Sequence, residues 1–481
     1  MWKTALLAIM LSVSILPVRM GAEDARTVVE DASRAMGAAG LSSITYSGAA
    51  AIGNFGQSRT ISFRLASTSI RNYSRAIDFT QVASRATGDS FPPAVPGGPA
   101  PQPGTYDQTI TANAAWPQQL QIWVTPWGFL RGAAANNATV RSRKIDGIAY
   151  KAVTWIPTQK APSGQAYRVV GYINPQGMVD RVETWVEHPI FGDLHVETFY
   201  TNYQDFGGLK APTRIAQRQA GMETFVAAIS EVRANPPEIA QRVAPLPAAA
   251  AGRGGAAGGP PSPPAVAEKL ADGVYRITGG YVALAVELRD YVVVLEGGQN
   301  EARGLAIIDE TRRVFPNKRI KYVVNTHPHF DHAGGLPPFA AEGITILTDD
   351  NSKYFVEAAL SSERTLVGDA LAKSHKKPKV EGVIDKMVLG DSTRSIELHH
   401  IKNLEHSDAM LVAYLPRERI LFTADFNVPG PGQAVSPSIA TLVENIERLQ
   451  LDFDRHVLVH APNPDRPMTK ADLLALAKGA N

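Results

Sequence analysis

The sequence contains no cysteine among its 481 residues. That absence excludes disulfide bonds, thiolate metal ligands, a cysteine nucleophile and an acylated cysteine anchor. A charge excess is also missing, because 48 Lys and Arg residues nearly balance 46 Asp and Glu residues, for a net charge of +2. Without a basic patch, we expect no nucleic-acid partner and no anionic-membrane partner.

The first 22 residues have the pattern of a secretory signal peptide. Lys3 precedes the apolar residues 5–16, and small residues follow before the first acidic ones. Pro17 and Arg19 end the apolar run well short of the about 20 residues that a membrane-spanning helix needs. We therefore expect residues 1–22 to be removed, leaving no stable membrane span, and a periplasmic or secreted bacterial protein. A short uncleaved anchor and a buried helix are the alternatives.

The length of the chain predicts two or three domains, and residues 23–243 have the composition of a β-rich domain. Residues 178–187 and 195–206 alternate polar and apolar side chains, which is typical of a sheet with one wet face. We expect a further strand at residues 60–66. Residues 199–215 resemble strands of lipoprotein-carrier-like half-barrels, which cup apolar ligands.

A linker separates this domain from the rest of the chain. Residues 244–267 are almost entirely Ala, Pro and Gly, which cannot bury enough apolar surface to offset the entropy of ordering. Residues 268–481 then contain strand-like runs in two batches, with helical patterns between and after them. This order predicts an α+β domain in which two sheets pack together and helices lie outside.

The strongest motif of the sequence is VVNTHPHFDHAGG, residues 323–335. Within six residues it presents His327, His329, Asp331 and His332, the side-chain types that bind zinc and other first-row divalent metals. A buried strand is predicted before them and glycines follow them. The motif therefore predicts a metal site, and the alternative is a solvated turn that holds no metal.

Three further candidate ligands follow predicted strands downstream. They are His406, Asp425 and His460. Strand ends hold active-site residues rigidly while leaving them accessible, so we expect these three side chains to join the upstream motif.

The complete set resembles the ligands of the metallo-β-lactamase superfamily, over residues 273–460. The resemblance implies an αββα sandwich with two divalent metal ions, zinc first and iron or manganese as alternatives. By the same resemblance, one ion is held by His327, His329 and His406, the other by Asp331, His332 and His460, and Asp425 bridges the two.

The activity that the resemblance implies is hydrolysis of a small-molecule ester, lactone, thioester or lactam by a metal-bound hydroxide. Asp331 is the candidate catalytic residue, which would orient the nucleophile and carry its proton. Asp425 stands where the thiolate-using β-lactamase subclass has cysteine, which favours the glyoxalase-, lactonase- and phosphodiesterase-type branches. The substrate itself and the oligomeric state are left open.

Two other functions are compatible with the sequence. One is a single iron site in the same fold that oxidises sulfur compounds, as some relatives do. The other is a protein without catalysis, in which the β-rich domain binds an apolar ligand and the metal domain is structural.

Overall fold

The computed structural model describes residues 24–61, 65–94, 101–245, 264–429 and 435–478. The predicted signal peptide at residues 1–22 lies outside these ranges, as does most of the predicted linker. Within the described ranges, no helix is both long and apolar enough to cross a membrane. Export from the cytoplasm stays a prediction.

Eleven strands form one sheet in the N-terminal half of the chain. They are β1 Ser43–Gly53, β2 Ser67–Asp78, β3 Ala83–Phe91, β4 Gly104–Ile110, β5 Thr139–Ile145, β6 Ile148–Trp155, β7 Val169–Ile173, β8 Val179–His188, β9 Gly192–Phe206, β10 Leu209–Gln219 and β11 Met222–Ala234. Every pairing is antiparallel, in the spatial order β4-β3-β2-β1-β11-β10-β9-β8-β7-β6-β5. The predicted β-rich domain is confirmed, and the half-barrel resemblance stays a prediction.

Helices cover one face of this sheet. They are α1 Ala25–Ala35, α2 Trp116–Trp123 and α3 Pro126–Ala135, with the single turn α4 Ile239–Arg242 following the last strand. Helix α3 packs on β6 and β8 and buries Trp127 almost completely. Large aromatic side chains bury the most apolar area per residue, so this contact anchors the helical layer to the sheet.

The expected strand at residues 60–66 is wrong where the structure describes it, because residues 60, 61, 65 and 66 belong to no strand. We call residues 54–61 the β1–β2 loop. Gly56 has φ +90°, which a ladder strand does not adopt. The backbone carbonyls of Gly56 and Arg59 accept hydrogen bonds from the C-terminal half of the chain instead of from a neighbouring strand.

The remaining strands build two sheets. The first has seven strands in sequence order: β12 Val266–Ala271, β13 Val274–Thr278, β14 Ala283–Glu287, β15 Val292–Leu295, β16 Ile320–Val324, β17 Thr345–Asp349 and β18 Lys379–Val383. The second has five: β19 Lys386–Gly390, β20 Ser395–His400, β21 Leu411–Leu415, β22 Ile420–Thr423 and β23 Arg455–Leu458. Strand β12 starts inside the predicted linker, because Val266 already pairs with Thr278 of β13.

The two sheets bury a shared apolar layer, and helices flank them. Leu295 of the first sheet and Leu398 and Phe422 of the second are fully or almost fully buried in one cluster. The helices are α5 Glu301–Val314, α6 Phe330–Ala333, α7 Leu336–Glu342, α8 Asp350–Ser361, α9 Ala370–Ser374, α10 Ser438–Leu449 and α11 Lys470–Lys478. Helices α5, α7 and α8 pack against the first sheet, and α10 buries Leu442 against the second. The predicted αββα sandwich is confirmed.

A buried arginine shapes the segment between β13 and β14. The Arg303 side chain on α5 is 1% exposed and donates hydrogen bonds to the backbone carbonyls of Ile277, Thr278 and Tyr281, at 2.8 to 3.1 Å. Burial lowers the pKa of Arg303 to about 10, which keeps the guanidinium charged at neutral pH. These bonds tie the connection between β13 and β14 to α5.

We predict that Arg303→Met lowers the free energy of unfolding by about 3 kcal/mol, because it leaves buried carbonyls without donors. Urea denaturation followed by circular dichroism measures this change. The matched control is Arg313→Met on the same helix, where an exposed ion pair with Glu310 is removed and a change within about 0.5 kcal/mol is expected. Equal effects of the two substitutions would contradict the role of Arg303.

Candidate metal centre

The first sheet delivers four candidate ligands from one strand end. Strand β16 lies between β15 and β17, parallel to both, and its last residues Val323 and Val324 are buried. The chain then leaves the sheet edge through His327 and His329 and enters α6, which carries Asp331 and His332. A short helix therefore follows His329 directly and carries the other two candidate ligands of the motif.

The second sheet delivers the other three. His406 lies in the connection between β20 and β21, while Asp425 and His460 follow the ends of β22 and β23. Because β22 and β23 are parallel, their carboxyl ends meet at the same sheet edge. The structure therefore brings together all seven predicted ligands: His327, His329, Asp331, His332, His406, Asp425 and His460. We call this set the metal centre.

Asp425 lies between two groups of ligands. One oxygen, Oδ2, is 2.6 Å from Nε2 of His406 and 3.3 Å from Nε2 of His327. The other, Oδ1, is 2.6 Å from Nε2 of His460 and 2.9 Å from Nε2 of His332. Its backbone has φ +54°, a conformation that aspartate tolerates better than most residues. Each carboxylate oxygen thus faces a different pair of imidazoles.

The two groups match two ion sites. Ligand atoms of His327, His329, His406 and Asp425 lie within 4.8 Å of one another, and so do those of Asp331, His332 and His460. This grouping agrees with the division between two ions that the family resemblance implies. The role of each residue as a ligand stays a prediction.

Buried atoms without partners show that the centre fits divalent ions. Nδ1 of His329 is buried without a hydrogen-bond partner in the described part of the chain, and Nε2 of His332 and Oδ1 of Asp425 are buried in a close contact whose geometry is not that of a hydrogen bond. A buried polar atom without a partner costs about 1–3 kcal/mol. A bound cation would satisfy all three, and nitrogen and oxygen donors of this kind suit zinc, iron or manganese.

Glu296 orients His332, and the sequence analysis missed it. This fully buried carboxylate lies 3.1 Å from Nδ1 of His332 and accepts hydrogen bonds from the Thr326 hydroxyl at 2.7 Å and the Gly298 amide at 3.1 Å. Since a carboxylate accepts, Nδ1 of His332 donates to Glu296, which leaves Nε2 as the nitrogen that would bind a metal once it gives up any proton it holds. The available signal was an acidic residue directly after the apolar strand β15.

Tyr281 is a second residue that the sequence analysis missed. Its hydroxyl donates a 2.7 Å hydrogen bond to Oδ2 of Asp331, and its ring centroid lies 4.4 Å from that of His460. Burial and the Asp331 carboxylate raise the pKa of Tyr281 far above its usual value, so the hydroxyl remains a donor. Tyr281 therefore holds both a carboxylate and an imidazole of the second group.

The charges of the centre are strongly coupled. Burial opposes protonation of His332, but the adjacent Glu296 and Asp425 carboxylates raise its pKa to about 10. Burial lowers the pKa of His329 to about 4. Burial would raise the pKa of Asp425, yet the surrounding imidazoles outweigh it and hold that pKa well below the usual range. The pocket thus keeps Asp425 ionised and attracts positive charge.

Residues 278–461 match the family model of the metallo-beta-lactamase superfamily. This part of the chain belongs to that superfamily. Membership supports a metal-dependent hydrolase in general, and a His/Asp cluster of this kind is compatible with divalent metal binding.

Similar proteins include two solved metallo-beta-lactamases. The one from Pontibacter korlensis is 15% identical, with 45% of this chain and 98% of that chain covered and a TM-score of 0.36. FIM-1 from Pseudomonas aeruginosa, in its mono-zinc form, is 16% identical, with 46% and 96% covered and a TM-score of 0.35.

A curated relative matches at the sequence level. The 2,4-dinitroanisole O-demethylase subunit alpha of Nocardioides sp. (strain JS1661) is 24% identical over 211 residues, which are 42% of this chain and 57% of that protein. The chain thus spans little more than half the length of this relative.

We predict that Glu296→Gln weakens divalent-metal binding by roughly 10- to 100-fold. His332 would lose the carboxylate that accepts from its Nδ1 and thereby directs its Nε2 toward the metal centre. Competition with a coloured chelator measures the affinity. Glu357→Gln on the exposed side of α8 is the matched control and should bind metal as the unsubstituted protein does. Equal affinities for all three proteins would show that Glu296 does not orient His332.

Proposed function

We propose that the chain is a metal-dependent hydrolase that cleaves an ester, lactone, thioester or lactam bond of a small molecule. The observation that carries this proposal is the position of Asp425, whose two oxygens face His406 and His460 at 2.6 Å each. A carboxylate shared between two ligand groups is what a two-ion centre needs. The seven side chains of the metal centre would hold two divalent ions, which would lower the pKa of a water molecule toward neutrality and polarise a scissile carbonyl.

Asp331 is the residue that we propose as proton carrier. Hydrolysis joins a water oxygen to the carbonyl carbon, breaks the bond to the leaving group and transfers a proton to that group. Burial would raise the pKa of Asp331, but nearby His332 and the hydrogen bond from Tyr281 lower it. The carboxylate is therefore ionised and able to accept a proton, while Tyr281 keeps it in place.

The residue type at position 425 favours some substrate classes over β-lactams. Asp425 provides two hard oxygen ligands where the thiolate-using β-lactamase subclass has one soft sulfur ligand. We therefore propose a glyoxalase-, lactonase- or phosphodiesterase-type reaction ahead of β-lactam hydrolysis. No cysteine is available as a nucleophile, so a water molecule is the proposed attacking group.

Zinc is the ion that we propose, since nitrogen-rich sites with carboxylates suit it well, although iron and manganese bind the same donors.

We also propose export to the periplasm or the medium, on the pattern of residues 1–22.

The test combines metal analysis with a substrate panel. We expect about two divalent ions per chain and turnover of at least one ester, lactone, thioester, phosphodiester or β-lactam. The panel includes 2,4-dinitroanisole, for which the curated relative is named. His329→Ala should lower turnover by more than the roughly 10- to 100-fold loss typical of changes beyond the ligands, and chelation should abolish it.

His375→Ala, which removes an exposed imidazole outside the centre, is the matched control and should retain full turnover. The proposal would be contradicted if the protein bound metal but turned over no compound of the panel, and if His329→Ala left that metal binding unchanged. Retention of a single iron together with oxygen uptake would instead support sulfur oxidation.

A further inference from the structure

The β1–β2 loop extends from the N-terminal sheet to the metal centre. The side-chain amide of Gln57 donates a 2.5 Å hydrogen bond from Nε2 to Oδ1 of Asp331. The backbone carbonyl of the next residue, Ser58, lies 3.1 Å from Nε2 of His329. Two consecutive residues thus contact one candidate ligand in each of the two groups.

The contact with His329 fixes how that imidazole is presented. A carbonyl oxygen only accepts hydrogen bonds, so Nε2 of His329 must carry the proton. The free lone pair is then on Nδ1, the buried atom that has no hydrogen-bond partner in the described part of the chain. Metal-binding histidines are commonly oriented in this way by an acceptor on the second nitrogen. Here the acceptor comes from the other domain.

The loop also ties together the two segments that carry ligands. The amide of Phe330, between His329 and Asp331, donates to the Gly56 carbonyl at 3.0 Å. On the other side of the centre, the amide of Asp408 donates to the Arg59 carbonyl at 2.9 Å. Arg59 Nε in turn donates to the Leu404 carbonyl at 3.0 Å, two residues before His406.

Close packing holds the loop in this position. The ring of Phe55 meets that of Phe330 edge-to-face at a centroid distance of 4.9 Å, and Phe191 from the β8–β9 turn packs on both. At Gly56 a Cβ atom would lie 2.2 Å from the Phe330 ring, and the φ of +90° is also unfavourable for other residues. Glycine is therefore required at the point of closest approach.

A second contact between the domains supports the loop. Arg364 is buried and donates to the carbonyls of Pro189 and Ile190 at 2.6 and 2.8 Å, while it pairs with Asp369. Asp193 of β9 accepts from the amide of Leu366 at 2.8 Å. Two separate sets of hydrogen bonds thus hold the N-terminal sheet against the metal domain. The β1–β2 loop therefore extends from a sheet whose position relative to the metal centre is fixed.

We propose that Gln57 is a positioning residue of the metal centre, and that the N-terminal domain is required for full metal affinity because its β1–β2 loop orients Asp331 and His329. This inference rests on the metal centre of the proposed function. It assigns the N-terminal domain a part in the metal site itself, beyond the binding of an apolar ligand.

The test measures Co²⁺ binding to the full chain and to Gln57→Ala, by titration and by the visible absorption of the bound ion. In Gln57→Ala we expect the affinity for one of the two Co²⁺ ions to fall about 10-fold, because Asp331 loses a donor that orients it. The other Co²⁺ ion should bind as before, and the melting temperature should barely change. The absorption of the weakened site should change as well, which a remote structural role would not cause.

Gly56→Ala is a second variant, which displaces the loop without altering any polar side chain, and it should weaken Co²⁺ binding in the same direction. Gln204→Ala is the matched control, since it removes the same side chain from an exposed position on β9. It should bind Co²⁺ as the unsubstituted protein does.

Two negative outcomes are distinct. An unsubstituted protein that binds no divalent ion overturns the proposed function. An unsubstituted protein that binds two Co²⁺ ions, with unchanged affinity and absorption in Gln57→Ala and Gly56→Ala, overturns only the assignment of the loop.

Discussion

One buried carboxylate, Asp425, is the group around which the metal centre is arranged. Four imidazoles surround it at 2.6 to 3.3 Å, and they come from both sheets of the sandwich. The sheets must therefore keep their relative position to within fractions of an ångström for both carboxylate oxygens to face their ligands. The close-packed apolar layer between the sheets, which includes Leu295 and Phe422, provides that rigidity.

Each histidine offers a metal one nitrogen, so the partner of its other nitrogen decides whether it is ready to bind. Glu296 performs this task for His332 from within the same sheet, whereas the Ser58 carbonyl performs it for His329 from the N-terminal domain. The candidate ligands and the groups that orient them thus come from stretches far apart in the sequence: the β1–β2 loop, Glu296, residues 327–332, His406, Asp425 and His460.

The sequence predicted the sandwich, because buried parallel strands and their helices have strong local patterns. It also predicted which seven His and Asp side chains the structure brings together, because these residue types at strand ends are rare and distinctive. It did not predict Tyr281 or Gln57, whose residue types occur everywhere and whose roles depend on contacts across 50 and 274 residues. The loop at residues 54–61 was missed for a related reason. Its position depends on hydrogen bonds to the metal domain as well as on local ones, and such long-range contacts leave no periodic signal in its sequence.

The most direct test of a two-ion centre around Asp425 is anomalous X-ray diffraction from crystals of the metal-loaded protein, recorded at the absorption edge of the bound metal. A two-ion centre should give two peaks per chain, one enclosed by His327, His329 and His406 and the other by Asp331, His332 and His460, with Asp425 between them. A single peak, or peaks away from Asp425, would contradict it.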